Sequence, residues 1–354
     1  MNKFETILPD ILDYFNESQS KAANIRKRFI NIGGPVLLTY SSDILEQSLF
    51  KAFEHLEFTG TDIEAAFTIF ACDADILNCD LPGYDWLNKI SNNKDEIVTY
   101  NSGDIHALFN PKSGIFSMFD NGRNRGFYYL PKAVNIPFYE KAAPMRMLLH
   151  WWCEKNGLVL VHAAAIGGDT TAFLLAGRGG TGKSTTAILA ARNGFKFLGD
   201  DYVILENNAG PIVYSVYNSV KFRWEMLERI PTAEESCLNN QNDEKGYFFL
   251  HDKKPDSLIR SLPLKAVLLP VIEGRQKTSF DRISRSKGLM GIAASSIFQM
   301  PGSGKQTLQT LAGILKDIPV YQLLLGNDNT EIMDALKCFL AAAESEGGIW
   351  ESRR

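Results

Sequence analysis

Residues Phe173–Thr186, FLLAGRGGTGKSTT, carry side chains and backbone suited to holding phosphate. Gly177, Gly182, Lys183 and Ser184 satisfy the pattern G-x-x-x-x-G-K-[ST]. Glycines at Gly177, Gly179, Gly180 and Gly182 permit backbone angles that turn several N–H groups towards phosphate oxygens. A helix opening near Lys183 adds its positive N-terminal end. Lys183 supplies a mobile charge for the outer phosphates, and the Ser184 hydroxyl can ligate Mg²⁺. Arg178, Thr181 and Thr185 complete the set expected to contact a nucleoside triphosphate, read as ATP.

Two further features lie close by in the chain. The apolar run Phe195–Leu205 is interrupted by Asp200-Asp201. An acidic pair near a core is costly unless a cation faces it. Beside a phosphate loop it suits a Mg²⁺ ligand plus a base for an attacking hydroxyl. His162 sits among small apolar residues in Leu158–Gly167, a setting in which a histidine is either a satisfied core residue or a member of the site.

The elements that must position these residues can be read from periodicity. Leu158–Gly167 predicts a strand, Gly168-Asp169-Thr170 a turn, and Thr171–Ala176 its hairpin partner. The helix after the loop runs to Arg192, with Asn193-Gly194 as its C-cap. Further upstream, Ile11–Ile32 predicts a polar helix ending at Gly33-Gly34, and Val36–Tyr40 a strand. Asp43–Leu56 predicts an amphipathic helix capped by Ser41 or Ser42, and Ala65–Ala71 another strand. Short alternating runs at Ile97–Tyr100, Ile105–Phe109, Gly114–Phe119 and Gly126–Leu130, separated by turns, predict an antiparallel β-meander. Pro137–Asn156 predicts a joining helix. The division expected is an N-terminal α+β domain, 1–135, and a nucleotide domain, 136–354.

The order VHAAAIGG, FLLAGRGGTGKSTTA, GFKFLGDDYVIL resembles the core of the HPr kinase/phosphorylase family. More closely, it resembles the related serine kinases of bacterial clusters for modified peptides, lasso-peptide kinases among them. The resemblance implies an α/β fold with a P-loop nucleotide-binding core shared with phosphoenolpyruvate carboxykinases. It also implies catalytic roles for His162, Lys183, Asp200 and Asp201. Ser219-Val220-Lys221-Phe222-Arg223 falls where related kinases carry a basic pair, from which Arg223 is expected to neutralise developing charge. Residues 263–270 with Arg275, and 298–302, resemble their C-terminal third. The Glu-, Arg- and Gly-rich segment linked to phosphorylase activity has no counterpart here, so the related-kinase branch fits better than HPr kinase proper. Ser184 and Asp200 are expected to ligate Mg²⁺, Asp201 to act as base, and His162 to orient an Asp or a metal-bound water. The sequence does not divide the metal and base roles between the two carboxylates further.

Composition fits a core-forming enzyme: 354 residues, 45% hydrophobic and 22% charged. A net charge of −4 gives no support for a nucleic-acid partner. Cys72, Cys79, Cys153, Cys237 and Cys338 are widely spaced and predict neither a disulfide framework nor a zinc site. No membrane segment or apolar leader is expected, and the protein is read as cytoplasmic. Pro301–Gln306 imitates a second phosphate loop but lacks the leading Gly and the Ser/Thr after Lys305, so a turn before a Gln306–Leu315 helix is expected. Asn93-Lys94-Asp95 is read as a solvated turn, and Tyr247-Phe248-Phe249-Leu250 as core. The function expected is transfer of the ATP γ-phosphoryl group to a serine hydroxyl of a peptide or protein. A small-molecule kinase acting on free serine or a sugar, and a nucleotide-binding regulator with weak ATPase, remain as alternatives. A homo-oligomer is compatible with the sequence.

Overall fold

A computed structural model describes residues 3–22, 24–60, 63–78, 80–91, 98–225, 237–239, 243–296, 300 and 304–345. The chain forms two compact units, Met1–Asn156 and Gly157–Arg354.

In the first unit, helix α1 (Lys3–Lys21) precedes β1 (Arg26–Asn31) and β2 (Pro35–Tyr40), which pair as a hairpin across Ile32-Gly33-Gly34. The helix expected over 11–32 therefore ends at Lys21, and its last third is a strand. Extended pairing with β2 wins there, and Gly33, at φ 93°, makes the reversal. After α2 (Asp43–Leu49), capped by Ser42 accepting from the Leu45 N–H, the helix tightens to a 3-10 turn through Leu56. β3 (Phe67–Asp73) lies parallel to β2. Short helices α3 (Ala74–Leu77) and α4 (Tyr84–Ser91) follow. The meander is present as β4 (Val98–Asn101), β5 (Ile105–Asn110), β6 (Ile115–Asp120) and β7 (Arg125–Leu130). It is one flank of a larger mixed sheet, ordered β1-β2-β3-β7-β6-β5-β4, with β7 parallel to β3.

The pleat sends Phe70 to stack on Phe15 of α1, while Phe67 turns to the opposite face. The joining helix is broken at Pro144 and Met145 into α5 (Phe138–Ala142) and α6 (Arg146–Lys155). Trp152 of α6 stacks on Phe67 at 5.9 Å, so residues 136–156 group with the first unit.

The second unit is built on β8 (Val159–Val161), β9 (Ala164–Gly167), β10 (Ala172–Leu175), β11 (Lys196–Gly199), β12 (Val203–Asn207) and β13 (Pro211–Ser215). The long β16 (Ser261–Arg275) joins them in the order β11-β9-β10-β16-β13-β12-β8. β18 (Val320–Gly326) runs parallel to β16 and pairs with β17 (Ser279–Ile283), while β14 (Ser219–Phe222) and β15 (Gly246–Phe249) form a separate ribbon. Among the described residues, the α-helices of the unit are α7 (Lys183–Arg192), α8 (Arg285–Ser296), α9 (Lys305–Ile314) and α10 (Asn329–Glu344).

β10 is buried on both faces, as a central strand must be. Phe173 and Leu175 pack with α7, β14, β15 and α10, whereas Ala172 and Leu174 pack with α8 and α9. Tyr247–Leu250 are core, as their composition suggested. Cys72, Cys153, Cys237 and Cys338 are free thiols. Cys79, the 93–95 turn, Ile97, Phe298-Gln299 and 301–303 lie outside the described residues. No helix among the described residues is long and apolar enough to cross a membrane.

Candidate functional site

Two strand breaks build the site. The strand expected over 158–167 is two strands: β8 pairs with β12, and β9 pairs with β10 and β11. The chain changes partner at His162-Ala163, where the His162 N–H leaves the ladder and donates to Ser296 Oγ at 2.9 Å. The next strand breaks in the matching place. β11 pairs with β9 and β12 with β8, so Asp200, Asp201 and Tyr202 fill the gap between them. His162 and the acidic pair, 38 residues apart in sequence, are thereby brought face to face. His162 Nε2 stands 3.7 Å from Asp201 Oδ1, and its ring lies 5.2 Å from that of Tyr202.

β10 delivers the glycine loop at its carboxyl end, where ligands bind in open α/β sheets. Gly177, Gly180 and Gly182 have φ of 132°, 84° and 101°, angles that side-chain-bearing residues rarely adopt. At Gly182 there is also no room for a side chain, because a Cβ would lie 2.9 Å from Leu325 Cδ1. Lys183 is 7% exposed and curls back over the loop, donating to the Gly177 and Arg178 carbonyls at 2.7 and 3.0 Å. Thr181 Oγ1 donates to the Arg178 carbonyl at 3.0 Å. Burial pushes the Lys183 ammonium down from its ordinary pKa, against the pull of Asp200 and Asp201.

The two carboxylates occupy different surroundings. Asp200 is 2% exposed; its Oδ2 accepts the Lys221 backbone N–H at 3.0 Å, and the nearby Ser184 hydroxyl favours its charged form. Burial first, and the neighbouring Asp201 charge second, push its pKa up. Asp201 is half-open to the cavity and holds Lys221 Nζ at 2.7 Å. Burial alone would raise Asp201 as well, but the Lys221 ammonium and then His162 outweigh it and hold the carboxyl well below the usual range.

Asp200 Oδ1 is buried and has no hydrogen-bond partner among the described residues. A buried carboxylate oxygen left over, with a serine hydroxyl near the same group, is a hard-oxygen donor set that fits a small divalent cation. The residues present therefore fit Mg²⁺ at Ser184 and Asp200.

A cavity of about 270 Å³ opens over the loop. Of the residues singled out in the sequence, His162, Gly179, Gly180, Gly182, Lys183, Ser184, Thr185, Asp201 and Arg223 line it. Gly177, Arg178 and Thr181 belong to the loop without lining the cavity, and the buried Asp200 does not line it either. Arg223 is exposed just after β14 and, among the described residues, forms no ion pair with either Asp. The charge that meets the pair is Lys221, two residues earlier on the same face of the strand. The resemblance places a basic pair in 219–223 and assigns the charge role to Arg223, whereas the ion pair with Asp201 belongs to Lys221. Lys245 also lines the cavity, from just before β15.

No family model matches the chain, and no curated protein matches it. Among solved structures, the Hpr(Ser) kinase/phosphatase from Coxiella burnetii aligns with a TM-score of 0.30 and 12% identity. That alignment covers 52% of this chain and 99% of the other. A likeness of this extent carries no argument about fold or activity, and the functional reading rests on the site itself.

Proposed function

We propose that this protein is an ATP-dependent phosphotransferase that moves the γ-phosphoryl group to a hydroxyl, with a serine of a peptide or protein as acceptor. The observation that carries the reading is the convergence of the Gly177–Ser184 loop, a buried carboxylate near Ser184 with one oxygen unpartnered among the described residues, and a second carboxylate opening into the same cavity.

Phosphoryl transfer asks a protein mainly for positioning and charge stabilisation. The loop N–H groups and Lys183 hold the outer phosphates; Lys183 exchanges its two carbonyl partners for phosphate oxygens. Mg²⁺ held by Ser184 and Asp200 would supply charge neutralisation on those oxygens. Asp201, kept ionised by Lys221 and flanked by His162, accepts the proton of the attacking hydroxyl. The acceptor oxygen forms its bond to phosphorus as the bond to the ADP oxygen breaks. Arg223 lines the same cavity and offers a guanidinium to charge developing there. The different surroundings of the carboxylates support dividing the roles this way: Asp200 is the buried one near Ser184, and Asp201 the one that meets the cavity.

The reading is tested by incubating the full chain with ATP and Mg²⁺ and candidate peptides and proteins, followed by mass spectrometry. An added phosphate localised to a hydroxyl side chain supports it. Release of ADP with no acceptor modified contradicts it.

A further inference from the structure

The far wall of the cavity is formed neither by the loop nor by the acidic pair. β16 runs parallel to β10 and β18 parallel to β16, so the carboxyl ends of all three lie along one edge of the sheet. At that edge Ile272, Leu325 and Ile332 form an apolar surface, with Asn327 and Asn329 beside them. The wall begins at the loop, because Leu325 is the side chain that packs on Gly182. Ile272 is 57% exposed, a large apolar side chain open to the cavity. Asn329 opens α10, and Ile332, three residues on, shares its helix face.

We infer that this wall is a nucleobase subsite selective for adenine over guanine, with Ile272, Leu325 and Ile332 against the ring and a carboxamide, chiefly Asn329, reading its edge. The inference rests on reading the glycine loop as the triphosphate site. A flat apolar ring suits three aliphatic side chains converging within reach of the phosphate loop. Adenine presents a donor, N6–H₂, beside acceptors at N1 and N7, and a carboxamide offers the matching acceptor and donor. Guanine presents N1–H and N2–H₂, two donors best met by a carboxylate. Glu225 lines the cavity from the segment after β14, while the carboxylates beside the wall itself, Glu273, Asp328 and Glu331, are already committed. Glu273 accepts from Arg275 Nε at 2.9 Å. Asp328 caps α10 by accepting the Glu331 N–H at 2.8 Å. Glu331 accepts the Thr278 N–H at 2.8 Å and its hydroxyl at 2.6 Å. Asn327 donates to the Gly274 carbonyl at 3.3 Å, which fixes its amide and leaves its oxygen available. The Asn329 carboxamide makes no hydrogen bond among the described residues.

The test compares non-hydrolysable ATP and GTP analogues and inorganic tripolyphosphate by calorimetry with Mg²⁺, using the full chain and Asn329→Asp. Asp is favoured in the first turn of a helix, so the variant should fold. The wild type should bind the ATP analogue about tenfold or more tightly than the GTP analogue, about 1.4 kcal/mol. Asn329→Asp should bring that ratio to about threefold or less while leaving tripolyphosphate affinity unchanged. Equal affinity of the wild type for the two analogues, or an unchanged ratio in the variant, overturns the base subsite while the phosphate site stands. Failure of the wild type to bind either tripolyphosphate or the ATP analogue overturns the triphosphate reading and the subsite with it.

Discussion

Replacing Lys221 by Met removes an ammonium 2.7 Å from the Asp201 carboxylate and keeps an apolar stem of similar length. At an effective dielectric of about 20, unit charges at that separation attract by about 6 kcal/mol. Withdrawing both groups from water offsets part of this. Removing one partner of a buried pair typically destabilises by about 3–5 kcal/mol. The side chains here are 10% and 18% exposed and His162 stays 3.7 Å away, so the lower end, about 3 kcal/mol, is expected. Released from the ammonium, the Asp201 carboxyl should titrate higher in the variant than in the wild type.

The pH dependence follows from the sign of the shift. Asp201 titrates below its unfolded value, so its stabilisation is present above that value and lost as pH falls through the folded one. The variant should therefore be much less stable than wild type near pH 7, with the gap narrowing in acid. Equilibrium urea unfolding of the full chain measures this, with hydrogen exchange at β11 and β14 assigning the transition to the second unit. Adding Asp201→Asn to Lys221→Met removes both charges and should recover about 2 kcal/mol relative to additivity. A Lys221→Met chain within about 0.5 kcal/mol of wild type, or an additive double variant, would refute the role given to this pair.

Two other changes are expected to separate the parts of the site. Lys183→Ala removes a charge-assisted phosphate contact and should weaken ATP binding by about 1.5–3 kcal/mol, measured by calorimetry; unchanged affinity would remove Lys183 from the phosphate site. Asp200 titrates above its unfolded value, so its ionisation destabilises the Mg²⁺-free fold as pH rises through the folded pKa. Asp200→Asn should thus gain on wild type in thermal unfolding with chelator as pH rises above the ordinary carboxylate range, and should lose the stabilisation that Mg·ATP confers. A pH-independent difference, or undiminished stabilisation by Mg·ATP, would contradict this.

The local features of the site were legible in the sequence because their signals are local. Strand, glycine loop and helix follow one another within Ala172–Arg192, and Gly177, Gly180 and Gly182 adopt the positive φ their residue type permits. Asp200-Asp201 stood out because an acidic pair inside an apolar run needs a partner. The partner itself was not legible: Lys221 reaches Asp201 only after β14 folds back, a long-range contact that periodicity does not encode. The break in 158–167 was also hidden, since Val159–Val161 and Ala164–Gly167 read as one apolar run and are separated only by which strands they pair with. In the first unit, Arg26–Asn31 carries a composition that a helix tolerates, and pairing with β2 decides otherwise. The apolar wall joins Ile272 to Leu325 and Ile332, more than fifty residues further on, and has no motif.

The most direct test of the account separates binding from transfer at Asp201. Asp201→Asn keeps the shape of the side chain and deletes the proton acceptor and its charge. With the acceptor found by mass spectrometry, ATP affinity by calorimetry and single-turnover transfer should be measured on the same preparations. The account predicts that the variant still binds Mg·ATP while transfer falls by about two to four orders of magnitude. Transfer at the wild-type rate in the variant would contradict it.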